Sequence, residues 1–491
     1  MKKFIRDIAI ILSSAVFLTS CEKMLTVTPQ SAITEENYFK NEGDFEPYVT
    51  GIYTFMRAIT NNVTYGMERG EELISASNAR FTVAWSQELS PTSGAINYND
   101  PWFRGIGNCN LLLEKIKDFT FTTDPNSKTR IMAEAYALRA YFYFHLTRVI
   151  GDAPLMLTAV VNDNVPLLPR SPATDVMKQI ISDVDSAILL VRSLPNFTPN
   201  SYPSKYRFAY GSMQALKADA KLWSAKVLGG GAADFNDAIA AITEVETTGV
   251  ALNADFKNVV GLRASSNPEV ILAAFYNRDE TSNNYVVNAL PFINIVAGAV
   301  NIDSLPTTAS SANGQGAYQI SPLSRSIFNV NPTDKRIPYT WVTERTATTT
   351  KISWITKYPG TKYPEDRVPD NDLIIYRLAD LYLMKAEAYA ALGNTTDAKT
   401  YLDKVRVRAG IGEYTGSLDK AAVEREILDE RARELFFENK RWFDLVRFHY
   451  GGTINVYNYV PNLAGKTTPL FWPLNTTVLA NNKLIEQTAG Y

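Results

Sequence analysis

Three glutamates late in the sequence have a spacing that acid–base chemistry could use. Glu430, Glu434 and Glu438 are four residues apart, which places them on one face of a helix. A glycosidase needs two carboxylates about 5 to 10 Å apart across its sugar site. Four basic residues are interleaved among the three glutamates: Arg431, Arg433, Lys440 and Arg441. Ion pairing on a structural helix is therefore expected, and a surface glycosidase is the lesser alternative.

Other residue types that carry catalysis are few. His145 and His449 are the two histidines, and each is in an aromatic-rich segment beside an arginine, where a partly buried packing role is expected. The sequence contains no Gly-x-Ser-x-Gly and no His-Glu-x-x-His motif. Two cysteines and two histidines cannot form a Cys/His zinc site. We therefore expect no enzyme, no cofactor and no metal site, although calcium bound by loop carboxylates has no linear signature and stays open.

The elements that would position any site are predicted to be mainly helical. The charges nearly balance, with 49 Lys and Arg against 51 Asp and Glu, so a nucleic-acid partner is not expected. Helical periodicity recurs at about 44–60, 101–118, 127–149, 172–193, 208–228, 234–248, 372–392, 395–409 and 419–449. Small residues, an aromatic and a turn at Gly393 in 378–405 match the spacing of a tetratricopeptide repeat. Similar helix pairs are predicted near 133–150, 208–248, 372–409 and 419–449.

Two stretches interrupt the helical periodicity. Residues 60–100 are rich in Asn, Ser, Thr and Gly, and residues 253–371 contain nine prolines. Both are predicted to form long loops and short strands. Stretches of this length are rarely structureless inside a compact domain, so we expect them to be ordered and functional.

The amino terminus has the pattern of a lipoprotein signal. A basic start is followed by the apolar run 8–18, which is too short to span a membrane, and then by Leu18-Thr19-Ser20-Cys21, which resembles the bacterial lipobox. We expect residues 1–20 to be a signal peptide and Cys21 to carry the acyl chains of a membrane anchor. Cys109 would then have no disulfide partner in the chain and is predicted to be a small buried residue.

Four motifs together resemble the SusD/RagB family of surface glycan-binding lipoproteins. The first is the helix and turn Arg139-Ala-Tyr-Phe-Tyr-Phe-His-Leu-Thr-Arg-Val-Ile-Gly-Asp-Ala-Pro-Leu155. The second joins the helix at 376–389 to Leu402-Asp-Lys-Val-Arg-Val-Arg-Ala-Gly410, and the third is the segment 426–447. The fourth is the closing segment, from Trp472-Pro-Leu-Asn through Gln487-Thr-Ala-Gly-Tyr491.

The resemblance implies one α-rich domain over 21–491 with tetratricopeptide-like helix pairs. It also implies a non-catalytic protein on the outside of the outer membrane, held there only by its lipid. Such a protein would bind oligosaccharides or polysaccharides and deliver them to a SusC-type TonB-dependent transporter. A tetratricopeptide-type scaffold for protein or peptide remains the alternative function.

A sugar site needs flat aromatic rings for the apolar face of a pyranose and polar side chains for its hydroxyl groups. Both kinds occur in the two loop-rich stretches, which are in positions comparable to the family's glycan-binding loops. The candidate ligand-binding residues are Arg80, Trp85, Asn97, Tyr98, Tyr285, Trp341 and Trp354. Core packing is an equal alternative for each of these tryptophans. The other tryptophans outside the loops, Trp102, Trp223, Trp442 and Trp472, are predicted to be core residues.

Overall fold

The computed structural model describes residues 38–75, 82–160, 167–200, 204–280, 283–348 and 350–491. Helices dominate these residues. In chain order they are α1 Phe45–Thr60, α2 Pro101–Lys117, α3 Pro125–Ile150, α4 Ala173–Arg192, α5 Tyr210–Val227, α6 Gly231–Glu246, α7 Lys257–Gly261, α8 Asn284–Val287, α9 Pro322–Asn329, α10 Leu378–Ala391, α11 Thr395–Arg408, α12 Lys420–Glu434, α13 Arg441–Tyr450, α14 Val456–Tyr459 and α15 Thr476–Asn481. The predicted mainly helical class is confirmed.

Among the described residues, eight strands lie in the two stretches that lack helical periodicity and just after the second. They are β1 Leu73–Ser75, β2 Val270–Ala274, β3 Tyr318–Ile320, β4 Trp341–Arg345, β5 Thr350–Ile355, β6 Thr361–Lys362, β7 Arg367–Val368 and β8 Leu373–Arg377. Four of them form an antiparallel sheet in the order β1-β3-β5-β4, and β2 pairs with β8. The sheet therefore joins the first loop-rich stretch to the second.

Two predicted helices need correction. The segment predicted at 372–392 begins as strand β8, whose five residues are all buried, because a continuous apolar run fits a buried strand as well as a helix. The segment predicted at 419–449 is two helices, α12 and α13. Phe437 and Asn439 between them have positive φ angles of 57° and 59°, which end a right-handed helix.

Antiparallel helix pairs form the helical part of the fold. Helix α10 ends at a turn where Gly393 has a φ of 83°, a conformation that costs a glycine little, and α11 then begins at an Asn394 cap. Ala386 and Ala398 are fully buried, so the two helices approach closely. The same arrangement joins α5 to α6 through Gly229, whose φ is 80°.

The core contains the residues that were predicted for it. Trp102, Trp223, Trp442 and Trp472 are each at most 1 % exposed. Cys109 is a buried free thiol in α2, and burial raises its pKa. His145 is buried as well, and its ring nitrogen Nδ1 accepts a hydrogen bond of 3.2 Å from Trp102 Nε1. Burial, with Arg148 nearby, lowers the pKa of His145 well below its usual value, so it packs as a neutral ring.

The three glutamates of α12 and the turn after it belong to a buried ionic network. Glu434 is fully buried and pairs with Arg336, Arg377 and Arg408. Glu430 pairs with Arg336 and Arg433, and Glu438 pairs with Arg377 and Lys357. Ion pairing is as expected, but only the Arg433 partner was among the predicted neighbours.

The distant partners explain that difference. Arg431 bonds to Asp380 and Asp444, and Arg441 bonds to Glu71, so these two interleaved arginines face other elements. Spacing along one helix identifies only pairs within that helix. The end of α12, Glu430–Glu434, is buried, so its charged side chains pair with groups on the elements that pack around it.

No helix among the described residues is long and apolar enough to cross a membrane.

Candidate functional site

Trp85 is one of two predicted aromatics that the structure leaves partly open, and the other is Tyr98. Its indole Nε1 donates a hydrogen bond of 2.9 Å to the carbonyl of Leu73 in β1, and its backbone N–H donates to Thr82 Oγ1 at 3.0 Å. Asn462 Nδ2 donates to its carbonyl at 3.1 Å. The edge and backbone of Trp85 are therefore fixed while its ring stays only partly buried.

A buried carboxylate is linked to this tryptophan through Thr82. Glu68 is 2 % exposed and lies at the end of the π-helical turn Thr64–Glu68. Thr82 Oγ1 donates to Glu68 Oε2 at 2.7 Å, and the Tyr318 hydroxyl donates to Glu68 Oε1. Thr82 and Tyr318 are both partly exposed. We call Trp85, Thr82, Glu68 and Tyr318 together the Trp85 site.

The Trp85 site exists because the two loop-rich stretches meet in one sheet. Leu73 pairs with Ile320, and Ser75 pairs with Tyr318, across β1 and β3. Tyr318 thus comes from the second stretch and Trp85 from the first. The sequence contained both residues, but Glu68, Thr82 and Tyr318 were not selected as candidates, since only the strand pairing brings them together.

The rest of the first loop is fastened to the carboxyl-terminal segment. The buried Arg69 donates to the carbonyls of Pro469 and Leu470 at 2.7 and 2.8 Å and to Gln87 Oε1 at 2.8 Å. Its guanidinium also lies 4.3 Å from the ring centre of Trp442 and 4.8 Å from that of Trp472. These contacts join Arg69 and Gln87 of the first loop-rich stretch to the carboxyl-terminal segment.

Asn97 and Tyr98 belong to the same loop but contact other groups. The Asn97 backbone N–H donates to Asp100 Oδ2 at 2.8 Å. The Tyr98 ring packs edge-on against Phe103, with 5.1 Å between ring centres, and its hydroxyl lies 3.4 Å from Asn482 Nδ2. Tyr98 lines a separate apolar cavity, and burial raises its pKa.

The three candidates from the second stretch are inside the protein. Trp354 is fully buried and donates from Nε1 to Glu344 at 3.1 Å, and Trp341 is 8 % exposed with its ring edge-on to Phe328 at 4.7 Å. Tyr285 is 2 % exposed and donates to the Phe437 carbonyl at 2.5 Å. The structure thus favours the packing alternative for both tryptophans and corrects the expectation that Tyr285 faces a ligand. Each ring supports the sheet or the turn behind the Trp85 site.

Two further predicted residues, Cys21 and Arg80, lie outside the described residues.

The Trp85 site combines an aromatic ring and hydroxyl groups, the residue types that a sugar site requires, with a buried carboxylate. The indole offers an apolar face to a pyranose ring. Thr82 Oγ1 and the Tyr318 hydroxyl donate hydrogen bonds to Glu68, and Thr82 Oγ1 also accepts one from the Trp85 backbone N–H. Glu68 is the carboxylate of this site, and each of its two oxygens accepts a hydrogen bond from one of these hydroxyls. Across the described part of the chain, no group of three or more His, Cys, Asp and Glu side chains could hold a metal ion.

Two family models match the chain. The one described as "SusD family" matches residues 336–491, and the one described as "Starch-binding associating with outer membrane" matches residues 25–214. The first contains the ionic network, and the second contains Trp85, Glu68 and Thr82.

Relatives and solved structures agree with these models. SusD-like protein P38 of Formosa agariphila is 28 % identical over the full length of both chains. The starch-binding protein SusD of Bacteroides thetaiotaomicron is 30 % identical over 131 residues, which are 25 % of this chain and 22 % of that protein. The structure of B. fragilis NanU is 27 % identical, with a TM-score of 0.77 over 95 % of this chain and all of that one.

Proposed function

The chain belongs to the SusD/RagB family, and from that premise we propose that it is a non-catalytic surface protein that binds oligosaccharides or polysaccharides. It delivers them to a SusC-type TonB-dependent transporter in the outer membrane. The matching family model is named for starch binding and outer-membrane association, which supports a glucan or a related glycan as the ligand class.

The Trp85 site carries this proposal. A partly open indole beside hydroxyl groups of Thr82 and Tyr318 has the chemistry that a pyranose ring requires. The glutamates that could have served a glycosidase, Glu430 and Glu434, are fully buried in ion pairs and present no carboxylate to a substrate. Binding without hydrolysis is the function that this arrangement supports best.

We also propose the attachment and domain boundaries. Residues 1–20 are a signal peptide, Cys21 carries the lipid that anchors the protein to the outer membrane facing outward, and residues 21–491 form one domain. Two or more acyl chains, each methylene contributing roughly 0.8 kcal/mol, anchor a protein stably. Mass spectrometry of the membrane-extracted protein is expected to find acyl groups on an amino-terminal Cys21. Release of the Cys21→Ser variant into the soluble fraction is the matching result, and its retention in the membrane contradicts the anchor.

The binding proposal is tested on a glycan array with the chain that lacks residues 1–21. Saturable binding to one glycan class, with no new reducing ends released during incubation, is the expected result. Arg80, which precedes Thr82 by two residues, and Asn97 are proposed to add polar contacts, so Arg80→Ala and Asn97→Ala are included. Capture of peptides with no glycan bound would favour the scaffold function. Product release abolished by Glu434→Gln would favour a glycosidase.

A further inference from the structure

A second cavity lies away from the Trp85 site. It has a volume of about 410 Å³ and is lined by residues of α2 and α3, by Pro154, Met156, Leu167 and Leu168, and by Asn481 and Asn482 at the end of α15. None of Trp85, Thr82, Glu68 and Tyr318 lines it. Its volume is in the range of small-molecule sites, roughly 300 to 1,000 Å³.

The walls of this cavity are aromatic and aliphatic. Tyr98 and Phe103 form one side in their edge-to-face pair, and Tyr143, Met156 and Leu168 form the other. The Tyr143 hydroxyl is already occupied, because it donates to the Met156 carbonyl at 2.7 Å and accepts from the Met156 N–H at 2.8 Å. The available surface is therefore that of the rings and of the aliphatic side chains.

Polar groups are confined to one end. The Tyr98 hydroxyl and Asn482 Nδ2 are 3.4 Å apart, a long contact that a ligand oxygen can replace, and Asn481 is exposed beside them. Asn482 Nδ2 also donates to the Leu168 carbonyl at 2.9 Å, which fixes the amide. Among the described residues that line the cavity, none has a charged side chain.

This distribution selects against two ligand classes. A charged ligand would lose its hydration with no opposite charge to replace it. A free sugar carries four or five hydroxyl groups, most of which would face apolar walls without a partner, and each unpaired group costs about 1 to 3 kcal/mol. A neutral ring with one hydroxyl group leaves no polar atom unpaired.

We propose that this cavity is a binding site for a neutral aromatic small molecule of the phenol class, held between the rings of Tyr98, Phe103 and Tyr143 with its hydroxyl at Tyr98 and Asn482. This inference goes beyond the glycan function and does not depend on it.

Gly107 makes the site testable without damage to the fold. It lines the cavity from within α2, and a Cβ added there meets nothing within 4 Å. Leucine at this position fills the cavity while improving helix propensity by about 1 kcal/mol. Gly51, an exposed residue within α1 with equally open space around it, is the matched control.

The experiment is a ligand-observed NMR titration of the chain lacking residues 1–21 with p-cresol. The unaltered protein and Gly51→Leu are expected to bind with a dissociation constant of about 1 mM or tighter, and Gly107→Leu to bind at least about tenfold more weakly. The anion p-hydroxybenzoate is expected to bind about tenfold more weakly than p-cresol to the unaltered protein. Circular dichroism melting confirms that both leucine variants are folded.

Three results would overturn the proposal. They are no saturable p-cresol binding to the unaltered protein, equal binding to Gly107→Leu, and displacement of p-cresol by maltose, which would make the cavity a sugar subsite. Trp85→Ala is expected to leave p-cresol binding unchanged. The failure of this proposal is thus distinguishable from the failure of the glycan proposal, which is judged at Trp85.

Discussion

The ionic network around α12 and the Trp85 site differ in how far their polar side chains are buried. In the network, Glu434 and Arg377 are fully buried, and each is paired with more than one group of opposite charge. At the Trp85 site the carboxylate of Glu68 is buried, but Thr82 and Tyr318, whose hydroxyls contact it, and Trp85 remain partly exposed. The network joins elements distant in sequence and contributes to stability and to the specificity of packing. The Trp85 site is the one that we propose contacts a glycan.

The strongest test of this contrast is Arg377→Ala. Arg377 bonds to Glu269, Glu434 and Glu438 at 2.5 to 2.8 Å, and removing it leaves buried carboxylates with fewer partners. We expect the free energy of unfolding to fall by about 3 to 5 kcal/mol, measured by urea denaturation. The exposed pair of Lys178 and Asp175 is the control, and Lys178→Ala is expected to cost less than about 1 kcal/mol.

At a temperature where Arg377→Ala is still folded, its affinity for the glycan identified on the array is expected to match that of the unaltered protein. A loss of affinity without a loss of stability would show that the network and the Trp85 site are not separate in function.

Lowering the pH is the second way to test the buried ion pairs, here at Glu387, which pairs with Arg447. Burial alone would raise the pKa of Glu387, but Arg447, at 2.7 and 2.8 Å, and Lys226 outweigh it and lower the pKa to about 2. A carboxyl group whose pKa is lower in the folded than in the unfolded protein stabilises the fold at pH values above its unfolded pKa of 4.5. This contribution is lost as the pH falls from 4.5 towards 2. The loss from this one group is about 3 kcal/mol.

Glu72 provides the control because its effect has the opposite sign and a different pH window. Burial raises its pKa well above 4.5, so it destabilises the fold at neutral pH and the penalty disappears as the pH falls towards 4.5. We expect Glu72→Gln to flatten the stability profile above pH 4.5 and to leave the fall below it. A profile that is flat between pH 4.5 and 2 would contradict the pKa of Glu387.

The elements that could be predicted from the sequence are those that depend on local signals. Helices such as α2, α4 and α11 begin and end within one or two residues of their predicted bounds, because periodicity, caps and Gly393 are local signals. The burial of Cys109 followed from its lack of a disulfide partner, and the four core tryptophans followed from their position outside the loop-rich stretches. Strand β8 was mistaken for the start of a helix, because a short apolar run such as Leu373-Ile374-Ile375-Tyr376 has no periodicity that separates a buried strand from a helix.

The site was harder to predict for a physical reason. Trp354 and Trp85 are both tryptophans in polar, loop-rich stretches, yet one is fully buried and the other partly open. Trp354 lies on β5, an inner strand between β3 and β4, whereas Trp85 lies outside the strands; the sheet itself depends on the pairing of Leu73 with Ile320, which spans almost 250 residues of sequence. Glu68 could not be recognised either, since its partners Thr82 and Tyr318 come together only in the folded sheet.

Trp85→Ala tests the binding side of the contrast. Removal of the ring is expected to weaken glycan binding by about 1 to 3 kcal/mol while lowering stability little, since the ring is only partly buried. Trp85→Phe should recover part of the affinity, because a smaller flat ring remains. Isothermal titration with the array-identified glycan measures both.

Two comparisons make that result specific. Tyr450 is 47 % exposed at the end of α13, and Tyr450→Ala is expected to leave the affinity unchanged. Trp354→Ala is expected to lower the free energy of unfolding by about 3 to 5 kcal/mol, as removal of a buried ring does. If Trp354→Ala removes binding at unchanged stability, the ring contacts ligand and its burial is not the functional state.

The smallest effect expected is that of Tyr318→Phe. Without the hydroxyl, the buried Glu68 Oε1 loses its donor, which costs about 1 to 3 kcal/mol of stability, and the surface loses one acceptor for a sugar hydroxyl. We expect the glycan affinity to fall by about 0.5 to 1.5 kcal/mol, the value of one hydrogen bond. Tyr363→Phe is the matched control, because Tyr363 also donates to a carboxylate, Asp370 at 2.8 Å, but lies on the β6–β7 hairpin. Equal affinity losses in the two variants would mean that Tyr318 acts through the stability of the sheet and not at the Trp85 site.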